Sequence, residues 1–329
     1  MSTYRPYKEA IDFDEIKRQR KSIDIDISVN REHAINFPDS KKEAEQEIMN
    51  LQAKIPVLDA ILAKEPPPPE LPPGKPLIKV SGVLEEFEAL CVMGYFTDRE
   101  YDLAAFSRQD EWEVYRRIRR VIAGNRTNSQ IRVSGRDVCD FVRGKINGIP
   151  FHGWLGFTTV KEGDYVELAV TEQEGHYVVY AIAHPELRVV SMTPRCKQGI
   201  HSDAKYQICV IWCGSLVIFS MFMIAWVFFI REYIVNYIKN MASFCGLMAM
   251  VLSPLVYSSC MRNPKPTLRL AEEICTVLGF PNPTKINLEK LTRKRLKKIK
   301  VNSPDGKLHK SSKRVLPDKD CYSSYYYYY

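Results

Sequence analysis

ICVIWCGSLVIFSMFMIAWVFFI, residues 208–230, holds no charged side chain in 23 positions, and MASFCGLMAMVLSPLVYSSCM, residues 241–261, holds none in 21. An α-helix rises 1.5 Å per residue, so each run spans roughly 30 Å, the thickness of a bilayer's hydrocarbon core. One such run could be a buried helix of a soluble protein; two in tandem predict a transmembrane helical hairpin over 208–261. The joining segment REYIVNYIKN (231–240) is short, so the two helices are expected to be antiparallel neighbours. It carries Arg231, Lys239, Tyr233 and Tyr237, the charged and aromatic anchors of a membrane interface. Arg188, Arg195, Lys197 and Lys205 precede the pair, and Arg262, Lys265 and Arg269 follow it. This bias predicts both termini on the same, cytoplasmic side. Neither span contains an ionisable Asp, Glu, Lys, Arg or His, which disfavours a charge-relay transporter or pump.

The second span has a patterned face. Ser243, Gly246, Met250, Ser253, Tyr257 and Cys260 recur at steps of three and four, which gathers small and weakly polar side chains along one stripe. In lipid such a stripe turns toward protein. It is either a helix-packing seam or, if several copies assemble into a homo-oligomer, the lining of a narrow water path. Cys209, Cys213 and Ser220 offer a weaker match on the first span.

The chain has 329 residues and a net charge of +8, and the excess is local. Residues 201–329 carry 19 Lys+Arg against 8 Asp+Glu, whereas 1–76 carry 12 against 14 and 77–200 carry 16 against 17. LRLAEEICTVLGF (268–280) has the spacing of a short amphipathic helix closed by Gly279 and Pro281. The basic C-terminal tail beyond it is expected to contact anionic lipid head groups through Arg293, Lys294, Arg295, Lys297, Lys298 and Lys300. A nucleic-acid patch competes with that reading, and nearness to the membrane favours lipid. Tyr325–Tyr329 is a low-complexity end to which no mechanism attaches.

Upstream of the apolar runs the pattern is α+β. SIDIDISV (22–29) alternates apolar and acidic residues and predicts a half-buried strand. Asp24 and Asp26 on its outer face have the spacing of a metal pair, but the solvent side of an edge strand explains them better. Ser40 and Glu43 have capping-box spacing. From there Ala44, Ile48, Leu51, Ile55, Leu58 and Leu62 form a helical stripe that fits core packing better than a partner seam, with Pro56 predicting a kink or two stacked helices. Residues 1–64 thus form a strand/helix region, and EPPPPELPPGKP (65–76) a semi-rigid polyproline linker, with an SH3-type ligand the lesser alternative. Residues 77–200 read as a β-rich domain with glycines at its bends, a small OB-like β-barrel, interrupted by a helix near 107–123. On that helix Arg116, Arg117, Arg119 and Arg120 read as a solvated face rather than an anion site. The tail fills 262–329.

Nine scattered cysteines with no CxxC pair argue against a disulfide scaffold. The first residues, MSTYRPYKEAIDFDEIKRQRK, have no apolar core and predict no signal peptide. No metalloprotease, P-loop, nucleophile-elbow or dinucleotide signature is present. His152, Asp164, His176 and His184 fall in strands, where lone histidines are ordinary. The expectation is no enzyme, no cofactor and no metal.

Several stretches together resemble a family of type VI secretion effectors: PPGKP leading into VSG, GDYVELAV, GHYVVYAIAHPELRVVSMTPRCKQG, the hairpin, and LGFPNPTKINL, covering roughly 72–289. The resemblance implies an antibacterial toxin handled by the type VI secretion apparatus, neutralised by a cognate immunity protein and acting at the bacterial inner membrane. It carries over no catalytic residue. The expected function is permeabilisation or depolarisation of a target membrane. The alternative is a resident inner-membrane protein whose hairpin anchors a soluble β-domain for protein or nucleic-acid binding, with nucleic acid disfavoured.

Overall fold

The structure, a computed structural model, describes residues 10–71, 73–96, 136–229, 234–302, 315–317 and 325–329. The helix expected near 107–123, with its arginine cluster, lies outside the described residues.

Two helices open the chain, α1 (Phe13–Asn36) and α2 (Lys41–Leu62). The stretch 22–29 is therefore helical and not a strand. Its alternation also places Ile23 and Ile27 four residues apart, one helical turn, and those two are buried against Leu51 with Ile48, Ile55 and Leu58 alongside. Ile25 and Val29, the other half of the supposed strand face, are exposed. Asp12 caps α1 by accepting the Glu15 N–H at 3.0 Å, and Arg20 donates across to Asp59 at 3.0 Å while also pairing with Asp24 one turn on. Two further expectations change. Ser40 precedes α2, but its hydroxyl donates to the Phe37 carbonyl at 3.1 Å and closes no capping box, because a 3₁₀ turn (Pro38–Ser40) leads into the helix. Pro56 sits inside an unbroken α2. Of the stripe, Ile48, Leu51, Ile55 and Leu58 pack on α1, Ala44 is buried, and Leu62 packs against the larger core cluster instead.

Next comes a closed five-stranded barrel. β1 (Ile78–Tyr95) is long enough to serve two neighbours: Ile78–Val83 pair with β4 (Tyr165–Gln173), and Leu84–Tyr95 pair with β2 (Arg136–Ile146), across a register shift between Leu84 and Glu86. β2 turns through Asn147-Gly148 into β3 (Ile149–Leu155), and β4 turns through Gly175 into β5 (His176–His184). Parallel pairing of Phe151–Gly153 with Tyr177–Val179 closes the ring. Closure requires glycine at 153, since a Cβ there would sit 2.2 Å from the Val179 carbonyl oxygen. Inside lie Leu84, Val142, Ile146, Phe151, Leu155, Val166, Leu168, Val170, Val179 and Ile182. Each such side chain stabilises the fold by roughly 1.5–3 kcal/mol.

The sheet continues past the barrel through β6 (Val189–Met192) to β7 (Tyr326–Tyr328). Between them in sequence come two long apolar helices, α3 (Ile200–Phe229) and α4 (Ile234–Arg262), and then α5 (Pro266–Val277) and α6 (Leu288–Asn302). Residues 266–302 are not a trailing tail. Leu270, Ala271, Ile274, Cys275, Leu278 and Leu288 join one buried cluster with Val92, Phe96, Tyr180 and Met192.

Candidate functional site

α3 and α4 are long and apolar enough to cross a membrane over Ile200–Ile224 and Lys239–Arg262. Their outward side chains are uncovered: Leu216 is 62 % exposed, Met221 65 %, Leu247 62 % and Leu255 60 %. Large contiguous exposed apolar surfaces mark protein or membrane interaction sites. The helices pack on each other through polar as well as apolar contacts. The Trp212 indole N–H donates to Ser253 Oγ at 3.1 Å, and Ser253 Oγ donates to the Ala249 carbonyl one turn back at 2.6 Å. Nearer the barrel, the Tyr257 hydroxyl and His201 Nδ1 share a hydrogen bond of 2.9 Å. Residue numbers rise on one helix as they fall on the other, so the two run antiparallel.

These contacts divide the expected stripe. Ser253, Tyr257 and Cys260 lie on the partly covered side of α4, and Ala249, absent from the stripe, is only 1 % exposed. Met250 is 65 % exposed and Ser243 is also open, so both lie outside the α3 contact. Gly246 borders them, yet a Cβ built on it would meet nothing within 4 Å. Its lack of a side chain therefore does not serve close approach to α3.

The base of α3 is bolted to α5 and to the segment before α6 by side chains that sequence reasoning did not single out. Glu272 on α5 accepts the Ile200 N–H at 2.7 Å, placing a carboxylate at the positive end of the α3 dipole. Its neighbour Glu273 accepts the Leu77 N–H at 3.1 Å, just before β1. Asn287 donates to Gln198 at 3.0 Å, and Gln198 donates to buried Asp203 at 2.7 Å. Gly199 passes so close to Pro283 that a Cβ would lie 2.3 Å from its carbonyl oxygen. No spacing rule in the sequence announces these partners, which lie far apart along the chain.

α6 has two faces. Leu288 and Thr292 are buried, and Leu296 and Ile299 pack beside Tyr326 and Tyr328. Arg293, Lys294, Lys297, Lys298 and Lys300 are exposed. Arg295 is drawn inward, with its guanidinium carbon 4.6 Å from the Tyr328 ring centroid. The expected lipid-contact residues thus share one helix, five on its open side and one against an aromatic ring.

The terminal tyrosines are core. Tyr327 is fully buried, Tyr325 donates to Asp137 at 2.9 Å, Tyr326 and Thr159 share a 2.9 Å hydrogen bond, and Tyr329 stacks on Phe280 with centroids 4.6 Å apart. Burial pushes the Tyr327 hydroxyl well above its ordinary value, and burial beside Asp137 does the same to Tyr325. The signal available was five ring side chains of high β propensity at the chain's end.

Of the strand histidines, His152 stacks on His176 at 5.1 Å, and desolvation with His176 nearby lowers its pKa. His184 Nε2 lies 3.9 Å from Asp164. Asp24 is engaged by Arg20. Among the described residues no group of three or more His, Cys, Asp and Glu could hold a metal. No protein-family model, no curated protein and no solved structure matches this chain.

Proposed function

We propose that this chain is a membrane-anchored binding protein, in which α3 and α4 insert as a transmembrane hairpin and hold an OB-like barrel against one face of the bilayer. The observation that carries this reading is the uncovered apolar surface of the helix pair, which is tied together by the Trp212–Ser253 and His201–Tyr257 hydrogen bonds. Hydrogen bonds kept within one chain leave the pair little need of further protein in lipid. Strand order β1-β2-β3-β5-β4, a long shared β1 and parallel closure of β3 on β5 support the OB-like assignment. Both ends of the pair return to the barrel, so the barrel, α5 and α6 share one side of the membrane, which the positive-inside bias makes cytoplasmic in a bacterial inner membrane. The exposed cations of α6 then lie at the level of anionic head groups.

A second reading rests on a different observation. Ser243 and Met250 are exposed on α4, and between them a Cβ built on half-exposed Gly246 would meet nothing within 4 Å among the described residues. A second copy packing there would build an oligomer, and this face would line its path. Combined with the resemblance to type VI secretion effectors, that face supports an antibacterial, membrane-permeabilising toxin with a cognate immunity protein. Inducible expression in bacteria with dye-reported membrane potential separates the two. An intact potential with the protein inserted supports the anchor, and a collapse that Gly246→Leu prevents at equal abundance replaces it with the toxin.

A further inference from the structure

The linker 65–71 has no regular secondary structure, yet it is held along the outer faces of β3 and β5. The Trp154 indole N–H donates to the Pro67 carbonyl at 2.9 Å, and the Tyr180 hydroxyl donates to the Glu70 carbonyl, also at 2.9 Å. Those carbonyls are three residues apart, one turn of a polyproline II helix. Burial repeats with the same period: Pro66 is buried and Pro69 half-buried, whereas Pro67 and Pro68 are exposed. One edge of the segment therefore faces the barrel with the three-residue period of polyproline II. Around it, Gln173 holds the Glu70 carboxylate, and the stacked His152 lines the floor.

A polyproline II segment makes no internal hydrogen bonds, so its carbonyls are available, and its stiffness lowers the entropy cost of docking. An aromatic groove whose ring donors are spaced to those carbonyls is a recognition device. A spacer between two domains requires none of it. The stretch between Leu62 and Ile78 can extend to about 50 Å, enough to lift from the groove while both ends stay attached.

We propose that the Trp154–Tyr180 groove is a binding site for proline-rich segments in polyproline II conformation, occupied in cis by Pro66–Glu70, and that a proline-rich segment of a partner protein displaces this strap. The cis segment is itself the model of the ligand, and the site is independent of what the helix pair does in a membrane.

The test uses the full chain in detergent micelles and a fluorescent peptide of sequence 64–77. Three proteins are compared by anisotropy: wild type; a vacated chain carrying Pro66→Gly, Pro67→Ser, Pro68→Gly and Pro69→Ser; and the vacated chain with Trp154→Phe, which keeps a ring and removes the donor. A tethered competitor acts at an effective concentration near millimolar, so wild type should bind the peptide roughly ten-fold or more weakly than the vacated chain. Trp154→Phe should abolish the gain. No binding by a vacated chain whose near-ultraviolet dichroism shows a folded barrel overturns the proposal, as does equal binding by all three proteins. If the vacated chain does not fold, wild type decides: excess peptide, but not a glycine–serine peptide, should speed tryptic cutting after Lys64 several-fold. Unchanged cutting at saturating peptide overturns the proposal.

Discussion

Tyr327→Ala is expected to destabilise the protein severely, although it alters the third residue from the end of a low-complexity run. Tyr327 is fully buried in the cluster that joins the barrel to α5, beside Cys196, Met192 and Leu288. Truncating a buried aromatic ring to alanine costs about 3–5 kcal/mol, transfer and cavity together. At roughly 2–4 °C per kcal/mol for a chain of this size, Tm should fall on the order of 10 °C. The cost has a ceiling. Among the described residues β7 pairs with β6 alone, so once docking of the strand is lost the remaining barrel stands without it, and further changes in β7 should add nothing. Tyr325→Phe keeps the ring and removes the hydrogen bond to Asp137, a loss of about 1.5–3 kcal/mol because the acceptor is charged. The assay is thermal unfolding of the full chain in micelles, with chymotryptic cutting at the C-terminus as a local readout. A Tyr327→Ala protein with unchanged Tm and unchanged cutting would refute the buried-strand assignment.

Gly153→Ala should cost roughly 1–3 kcal/mol by forcing β3 away from β5, against a near-neutral Gly214→Ala in open space, and equal melting of the two proteins would contradict the closure. Tyr180 and Cys275 are held up to about 12 by burial, against ordinary values of 10.0 and 9.0, so the protonated folded state is fully stable below about pH 9 and loses stability as pH climbs toward 12; a flat Tm over that range would exclude burial of these groups. Replacing Arg293, Lys294, Lys297, Lys298 and Lys300 with Gln should remove most salt-sensitive affinity for anionic vesicles, at about 1 kcal/mol per cation, whereas binding to neutral vesicles should stay weak in both proteins. Ser253→Leu should loosen the helix pair by removing the Trp212 partner, while Gly246→Leu should leave the monomer's melting unchanged; the reverse order would place the α3 contact on the wrong face of α4.

What the sequence made legible follows from the range of the interactions involved. The two uncharged runs, the glycine-bounded strands of 77–200 and the helical spacing of the 44–62 stripe are local patterns, and each appears in the fold. SIDIDISV misled because period two and period four coincide for residues 23 and 27; only the partner, α2, decides between them. Of the stripe on α4, Ser253 and Tyr257 bond to α3, whose contact face also takes in Ala249 and leaves Met250 outside. The basic tail was read by charge alone, which hid the apolar half of α6 that holds it to β7. Glu272, Glu273 and Asn287 act through partners tens to hundreds of residues away, and no window reaches that far. The proline run was legible as a segment outside helix and strand, whereas its dock, Trp154 and Tyr180, exists only once β3 lies beside β5.

The most direct test of the account is whether α3 and α4 sit in the bilayer. The full chain and a chain lacking 208–261 are reconstituted with anionic vesicles, washed in high salt and floated on a density gradient. Salt screens the cations of α6 to within a few ångströms, so only insertion survives the wash. The full chain should float with the lipid, and the deleted chain should remain at the bottom, folded and monodisperse. Recovery of the full chain as a detergent-free soluble monomer, with Leu216, Met221 and Leu247 in water, would contradict insertion.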